Sequence, residues 1–311
     1  MKVSVVIPTY RRPDEFRQCV QSILNGTRKP EEIIVVGRKG DATTMDVVAQ
    51  LRSDAAHGGR IRDAWVDSPG HLPPVETGIH LATGDVVAMV DDDVTVTANW
   101  LDRLLVNFAD PKVGVVGGRV VVPGQSSPRL RGRPGQVSWY GKHWGNIAAV
   151  DGEVPFPVAA VMECNWAWRR ALVAGLQFDP YLNFDDASMY GLDWCCQARA
   201  KGFQVIYDPG AVVHHHLAPR IPELERSNRP RRLLSYCRNY TYIMLKHLPA
   251  WRKPAFLLWW FVVGERAAWG FGALVAETLM HGFDWWPELR PAWRGKIEGI
   301  RLWLGATPTV K

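Results

Sequence analysis

Short apolar runs alternate with segments of helical spacing along the first hundred residues. The runs have the length and β-branched content of buried strands; they are VSVVI (3–7), EEIIVV (31–36), IRDAWV (61–66) and DVVAMV (85–90). The segments between and after them are predicted helices; they are 13–24, 42–54, 73–83 and 97–108, the last with Thr97 as its N-cap. Strands that alternate with helices favour βαβ units. The chain is therefore predicted to be an α/β protein.

The fourth apolar run ends abruptly in three carboxylates, Asp91, Asp92 and Asp93. In a parallel sheet ligands bind beyond the carboxyl ends of the strands, so these residues stand where a ligand is expected. In an extended chain Asp91 and Asp93 would share one side and Asp92 would point away. Adjacent carboxylates repel unless a cation joins them, and oxygen ligands suit Mg²⁺ or Mn²⁺ bound to phosphates. A solvated acidic loop is the alternative.

Composition narrows the class of protein. The chain has 311 residues, 47% of them hydrophobic, which is enough for a sizeable core and argues against disorder. Its net charge is +6, but the basic residues are scattered, which disfavours a nucleic-acid partner. Five cysteines without a CxxC pair favour reduced thiols, and the first apolar run is too short for a signal peptide. These features predict a cytoplasmic protein.

Several segments carry a family resemblance. They are VSVVIPTYRRPDEFRQCVQSIL, ATGDVVAMVDDD, WLDRLL, VGVVGGRV, CNWAWRRALV, FDPYL and GFQVIYDPGAVVHHH. In this order, over roughly residues 1 to 220, the sequence resembles the family 2 glycosyltransferases of the GT-A fold. The resemblance implies a Rossmann-like mixed sheet of βαβ units, a nucleotide-sugar donor, Mn²⁺ or Mg²⁺ as cofactor, and transfer of the sugar with inversion.

The resemblance also implies roles for residues on the donor side. The family's DxD motif maps onto the three aspartates, with Asp93 as metal ligand, Asp91 as a contact to metal or ribose, and Asp92 beside the donor. The family's first loop would line the nucleotide pocket; it maps onto Pro8, Thr9, Tyr10 and Arg11. The alternative for the arginines of this loop is plain solvent exposure.

The sequence departs from the family after the second strand. The family usually has an aspartate there that contacts the nucleotide base, but Gly37 stands at that position. Asp41 is expected to substitute for it, and Arg38 or Lys39 is expected to reach phosphate. The departure leaves the base preference open.

A late metal ligand of the family is a histidine after YDP, where this chain has three. The spacing favours His215 as the ligand, with His214 as the alternate. Alternation along a strand would place His214 and His216 on the side opposite His215. An imidazole ligand would shift the metal preference toward Mn²⁺.

An inverting transfer needs a carboxylate that takes the proton of the acceptor hydroxyl. The family supplies it from an acidic pattern at the start of a helix, and YGLDWCCQARAKG (190–202) carries only Asp193. Asp193 is therefore the expected base, with Asp186 and Asp185 as alternates. The two leading acidic positions fall on Tyr190 and Gly191, which leaves a non-catalytic relative open.

The tail differs in composition from the rest of the chain. The predicted boundary separates a GT-A domain over 1–230 from a Trp-rich helical extension over 231–311. The longest uncharged run is too short to span a bilayer. Helices within 251–290 that lie in the membrane interface would fit the Trp and basic residues, and a homodimer interface is the competing interpretation.

These observations predict a metal-dependent inverting glycosyltransferase that modifies a lipid-linked or growing glycan, as in polysaccharide biosynthesis. It is expected to be peripheral at the inner face of the cell membrane. Two alternatives are kept: a non-catalytic scaffold that binds a sugar nucleotide at a membrane, and a nucleotidyltransferase. The latter usually needs a Gly-rich phosphate loop, and PTYRRPD is not one.

Overall fold

The computed structural model describes residues 1–127, 129–217, 229–265, 268–282 and 286–305. The chain divides into two compact units. The first comprises Met1–Gln136, Trp144–Phe178 and Trp194–Pro219, and the second comprises Val137–His143, Asp179–Asp193 and Arg220–Lys311. The predicted boundary at residue 230 stays a prediction, and the second unit also takes up two earlier segments of the chain.

The strands of the described residues are short and mostly buried. They are β1 Val3–Pro8, β2 Glu32–Arg38, β3 Ile61–Val66, β4 Val86–Val90, β5 Val94–Val96, β6 Val113–Val121, β7 Phe156–Val158, β8 Asn165–Arg169, β9 Gln204–His215, β10 Gly264–Glu265 and β11 Ala268–Trp269. The helices follow the predicted spacing over the first part of the chain. They are α1 Pro13–Leu24, α2 Ala42–Arg52, α3 Leu72–Leu81, α4 Trp100–Val106, α5 Arg170–Val173, α6 Tyr190–Ala200, α7 Arg229–His247, α8 Lys253–Val262, α9 Phe271–His281 and α10 Trp286–Trp303.

Nine strands of the described residues form one mixed sheet in the order β3-β2-β1-β4-β8-β6-β9-β5, with β7 paired to β9. The pairs among β1, β2, β3 and β4 are parallel, whereas β8 runs antiparallel to both β4 and β6. Strands β1, β2 and β4 are buried along nearly their whole length, as expected for strands covered on both faces. The predicted α/β class with a mixed sheet is confirmed.

The segment after the three aspartates differs from the prediction. Residues 94–96 form strand β5, which pairs antiparallel with β9, and α4 begins only at Trp100. Thr97 is not the N-cap, because Asn99 occupies that position. The backbone N–H and the hydroxyl of Thr97 both donate to the Val212 carbonyl, each at 3.1 Å. The β-branched sequence Val-Thr-Val thus pairs with the histidine-bearing strand before the helix begins.

Two tryptophans of the segment CNWAWRRALV are core residues. Trp166 and Trp168 on β8 are fully buried. The Trp166 ring stacks on Trp194, with centroids 5.5 Å apart, and Trp168 meets Trp166 edge to face at 5.0 Å. Aromatic pairs of this geometry stabilise a core.

The second unit is built around the pair α7 and α10, which pack closely together. Gly295 and Gly299, one turn apart on α10, allow this approach. A Cβ at either position would come within 2.5 Å of a carbonyl oxygen of α7, that of Leu234 or of Arg238. Among the described residues, no helix is both long enough and apolar enough to cross a bilayer.

Candidate active site

The three carboxylates at the end of β4 lie beside Arg12, the residue before α1. One nitrogen of its guanidinium, Nη1, lies 2.9 Å from Asp92 Oδ1 and 3.0 Å from Asp93 Oδ2. Asp92 and Asp93 are buried, whereas Asp91 is partly exposed. Asp91 and Asp93 share one side, as predicted, since both approach His215 Nε2. The prediction that Asp92 points away from Asp93 is wrong, because residues 92 and 93 form a turn and both carboxylates contact Arg12.

Burial and the neighbouring arginine have opposite effects on the pKa of Asp92. Burial raises the pKa of Asp92 to about 7, although Arg12 lowers it, and the neighbouring Asp93 adds to the rise. Burial alone would lower the pKa of Arg12, but Asp92 and Asp93 raise it above its usual value. The group therefore carries more negative charge than one arginine balances, which favours a further cation.

Strand β9 brings one of the three histidines to this group. His215 lies opposite Val94 in the β5–β9 ladder, and the His216 N–H donates to the Asp93 carbonyl at 2.9 Å. His215 is buried, with Nε2 3.0 Å from Asp93 Oδ1 and 4.0 Å from Asp91 Oδ2. His214 is partly exposed, and His216 Nε2 lies 2.9 Å from the Thr95 hydroxyl. Of the three, the structure places His215 with the carboxylates.

Sequence reasoning missed Cys164, which joins the same group. Val90 pairs with Asn165 in the antiparallel β4–β8 ladder, so Cys164 lies beside Asp91, one residue beyond that pair. The Cys164 sulfur, a carboxylate oxygen of Asp91 and a ring nitrogen of His215 lie within 4.8 Å of one another. The cysteine is visible in the sequence, but its place beside Asp91 depends on the register between β4 and β8, which lie more than seventy residues apart.

Asn165 fixes the position of this cysteine. Its side-chain oxygen accepts from Trp100 Nε1 at 2.8 Å, and its Nδ2 donates to the carbonyls of Arg119 and Ala211 at 3.0 and 2.9 Å. Because these contacts join three neighbouring strands and α4, the residue before Asn165 has little freedom. Carboxylate, imidazole and sulfur donors together fit a divalent cation.

The loop after β1 is held in an unusual conformation. Arg11 has φ +52°, in the left-handed region that a non-glycine residue seldom adopts. Its backbone N–H donates to Asp41 Oδ2 at 2.5 Å. The Tyr10 ring lies between two guanidinium groups, with Arg11 Cζ at 5.1 Å and Arg38 Cζ at 5.4 Å from its centroid. Three of the predicted donor-side residues thus form one positively charged cluster.

Asp41 has structural contacts of its own. It caps α2 and accepts from the backbone N–H and hydroxyl of Thr44 at 3.2 and 2.6 Å, in addition to Arg11. Burial would raise the pKa of Asp41, but Thr44 and Arg11 lower it below its usual value. The residue therefore fixes the Arg11 loop to α2. Its contact with a nucleotide base remains a prediction.

The structure explains the glycine at the position where the family has an aspartate. Gly37 lies opposite Trp65 in the β2–β3 ladder, and a Cβ at Gly37 would come within 2.3 Å of the Trp65 ring. Trp65 is held in place by a hydrogen bond from Nε1 to Asp63 Oδ2 at 2.7 Å. No side chain larger than glycine fits under the indole without displacing it.

The predicted base lies in the second unit. Asp193, in the first turn of α6, is fully buried. Its Oδ1 lies 2.7 Å from His247 Nε2 and 3.0 Å from Lys246 Nζ, both at the end of α7. Burial would raise the pKa of Asp193, but His247 and Lys246 lower it below its usual value. The lowered pKa keeps the carboxylate ionised but also makes it a weaker base, and the role of Asp193 as base remains a prediction.

The alternates lie on a segment with backbone strain. Asp185, Ala187 and Met189 all have φ between +53° and +69°. Asp186 accepts from the Ser188 hydroxyl at 2.8 Å and the Ser235 hydroxyl at 3.0 Å, which fixes the turn. Asp185 forms an ion pair with Arg231 Nε at 2.6 Å, and burial raises its pKa.

The arrangement of the sheet is that of a known fold. The fold is shared with solved GT-A glycosyltransferases at low sequence identity. S. aureus TarS in complex with UDP-GlcNAc has a TM-score of 0.60 at 15% identity, over 99% of this chain and 82% of TarS. The mannosyltransferase from Pyrobaculum calidifontis, solved with GDP-Man and Mn²⁺, has a TM-score of 0.60 at 16% identity, over 96% of this chain and 87% of the mannosyltransferase.

The sequence matches the family "Glycosyl transferase family 2" over residues 4–174, more than half of the chain. It is 32% identical over 233 residues to the glucosyl-dolichyl phosphate glucuronosyltransferase of Haloferax volcanii, covering 70% of each chain. It is 33% identical over 220 residues to the pre-mycofactocin glycosyltransferase of Mycobacterium tuberculosis, over 68% of this chain and 42% of that protein. The chain belongs to glycosyl transferase family 2 and is a glycosyltransferase.

Proposed function

We propose that this glycosyltransferase moves a sugar from a nucleoside-diphosphate sugar to an acceptor hydroxyl, with inversion and with a divalent cation. The observation that carries the proposal is the group at the end of β4, where carboxylate oxygens of Asp91 and Asp93 lie 4.0 and 3.0 Å from His215 Nε2. These residues would hold the cation, Mn²⁺ or Mg²⁺. When bound, such a cation stabilises the negative charge that develops on a departing diphosphate.

The residues around the group have proposed roles of their own. Arg12 balances part of the charge of Asp92 and Asp93 and so keeps their carboxylates in place. The cluster of Tyr10, Arg11 and Arg38 supplies positive charge and an aromatic face to the nucleotide. Solved proteins of this fold that hold UDP-GlcNAc or GDP-Man support a donor of this class.

We propose Asp193 as the base that takes the acceptor's proton. Its place in the first turn of α6, where the family resemblance puts the base, supports this role. Asp185 and Asp186 are the alternates, and the pKa of Asp185 lies above its usual value. An inverting transfer then proceeds in one displacement, in which the acceptor oxygen bonds to the anomeric carbon as the bond to the diphosphate breaks.

The test is the release of nucleoside diphosphate from a sugar nucleotide in the presence of Mn²⁺. We expect slow cleavage by water even without the acceptor, and its loss on chelation of the metal or in Asp93→Asn. A protein that binds the sugar nucleotide but does not cleave it would support the scaffold alternative. Membership of the family leaves no support for the nucleotidyltransferase alternative.

The partner of the second unit is proposed from an apolar surface. Helices α8 and α9 and the turns beside them expose eight large apolar side chains, which we name the α8–α9 face. These are Trp251, Leu258, Val262, Val263, Phe271, Val275, Leu279 and Met280. On α9 the residues 271, 275 and 279 repeat every four positions and so lie along one side of the helix. Clusters of exposed apolar side chains often mark interaction sites.

The distribution of charge supports an anionic bilayer surface as the partner. Residues 220–311 carry 15 Lys and Arg against 7 Asp and Glu, whereas residues 1–219 carry 22 against 24. Two cations lie against tryptophan rings beside the face: Arg252 Cζ is 5.8 Å from the Trp251 centroid, and Lys253 Nζ is 4.6 Å from that of Trp303. Tryptophan with Lys or Arg is typical of the lipid headgroup region. We therefore propose a lipid-linked acceptor, which the words dolichyl phosphate in the name of the Haloferax relative support.

Flotation with vesicles tests this surface. We expect binding to vesicles with anionic lipid and weak binding to zwitterionic ones. Leu279→Ser, at the most exposed position of the face, should weaken vesicle binding by roughly 10- to 100-fold, since burying one such side chain contributes about 1.5–3 kcal/mol. Val106→Ser, an exposed apolar position of the first unit, is the control. Dimerisation in solution that Leu279→Ser abolishes, with vesicle binding unchanged, would support the dimer instead.

A further inference from the structure

Cys164 lies where three strand ends meet. Asp91 follows β4, Cys164 precedes β8, and His215 ends β9. Their donor atoms lie within 4.8 Å of one another, close enough for a single ion to contact all three. Among the described residues, this is the one group of three His, Cys, Asp or Glu side chains with that geometry.

A buried thiol alone would be unremarkable, since cysteine is among the residues most often found in cores. Cys164 also contacts the apolar core cluster. The difference from the other cysteines lies in its neighbours. Cys19, the other thiol near this site, has its sulfur 3.5 Å from the backbone carbonyl of Asp91 and belongs to the core side of α1. The Cys164 sulfur instead lies within 4.8 Å of a carboxylate oxygen of Asp91 and an imidazole nitrogen of His215.

We propose that Cys164 is a metal ligand of this site, together with Asp91 and His215, and that its sulfur determines which ions the site prefers. The inference rests on the proposed function, because it concerns the same cation site. Sulfur binds Zn²⁺, Co²⁺ and Cd²⁺ well and Mg²⁺ hardly at all. On coordination the thiol gives its proton to solvent and the sulfur binds as thiolate.

A sulfur ligand would make the site selective among divalent cations. A site of oxygen donors alone would accept Mg²⁺ readily, whereas this mixed set of oxygen, nitrogen and sulfur disfavours it relative to Mn²⁺ and softer ions. Zn²⁺ and Cd²⁺ should therefore compete with Mn²⁺ at low concentration.

The experiment is titration of the full chain with Co²⁺ and Cd²⁺, followed by near-ultraviolet absorbance. The wild type should show the thiolate-to-metal charge-transfer band with one equivalent of ion, and Cys164→Ser should lose it. Cys164→Ser should also weaken Cd²⁺ binding by about 10- to 100-fold and Mn²⁺ binding by much less. Cys19→Ser is the matched control and should keep the band.

The absence of the band in the wild type, or its loss in Cys19→Ser, would overturn the inference, and neither measurement needs a folded Cys164 variant. The outcome is separate from that of the proposed function. Cleavage of a sugar nucleotide with Mn²⁺ but no charge-transfer band would overturn the role of Cys164 alone. A band without any cleavage would support the ligand and contradict the transfer.

Discussion

At the scale of single residues, one carboxylate can be distinguished from its neighbours by substitution. Asp193 is buried and ionised beside Lys246 and His247, whereas Asp185 pairs with Arg231 on a strained turn. Asp193→Asn keeps the shape of the side chain and removes its ability to take a proton. We expect transfer to fall by about 10²–10⁴-fold, because this is the usual contribution of a general base.

The readouts are the rate of transfer, nucleotide affinity by calorimetry, and the melting temperature. Nucleotide affinity should be unchanged in Asp193→Asn, since the residue is not proposed to touch the donor. Asp185→Asn is the matched control and should retain most of the activity. Loss of transfer in Asp185→Asn, with Asp193→Asn active, would move the base to the alternate position.

At the scale of the secondary-structure elements, Glu32 joins three strands to the end of α3. Its Oε1 accepts from the Ser4 hydroxyl on β1 at 2.6 Å and from the Thr83 N–H at 2.7 Å. Its Oε2 accepts from Arg62 on β3 at 2.5 Å. Burial would raise the pKa of Glu32, but hydrogen bonds from Ser4, Thr83 and Arg62 lower it to about 2.

This depressed pKa predicts a pH dependence of stability. The ionised Glu32 stabilises the fold above its ordinary pKa of 4.5, and this contribution is lost as pH falls from 4.5 toward 2. Glu32→Gln should lower the free energy of unfolding at pH 7 by about 1–3 kcal/mol. It should also flatten the change in stability between pH 4.5 and 2.

Denaturant unfolding at several pH values measures this effect. Asp46→Asn, an exposed position on α2, is the control and should keep the wild-type pH dependence in that window. Equal slopes for the wild type and Glu32→Gln between pH 4.5 and 2 would contradict the role of Glu32.

Elements defined by their own sequence were predictable. The β-branched runs that became β1 to β4 carry their signal locally, and so does the spacing of α1. Strand β5 was missed because three residues, Val94–Val96, become a strand only by pairing with β9. Local propensity cannot report a partner more than a hundred residues away.

The same limit applies to the site. The placement of Asp91 and Asp93 follows from the end of a predicted strand, and His215 was favoured by spacing. Cys164 depends on the register of β8 against β4, and the glycine at position 37 depends on Trp65 from the next strand. Arg12 reaches Asp92 and Asp93 across 80 residues of sequence. Such contacts are set by tertiary packing.

At the scale of the whole molecule, composition is divided along the chain. Residues 1–219 are nearly neutral and contain the sheet and the carboxylate group, whereas residues 220–311 are basic and contain the α8–α9 face. This division is consistent with a catalytic part that handles a nucleotide and a part that contacts an anionic surface. The net charge of +6 for the whole chain does not reveal this difference between its two parts.

The central claim is that the three aspartates after β4 serve a cation and a nucleotide sugar. The most direct measurement is the release of nucleoside diphosphate from UDP-, GDP- and dTDP-sugars with Mn²⁺, after chelation, and in Asp93→Asn. We predict that one donor class is cleaved, and that chelation or Asp93→Asn removes the cleavage. Cleavage that persists at full rate without metal and in Asp93→Asn, or no cleavage of any donor, would contradict the claim.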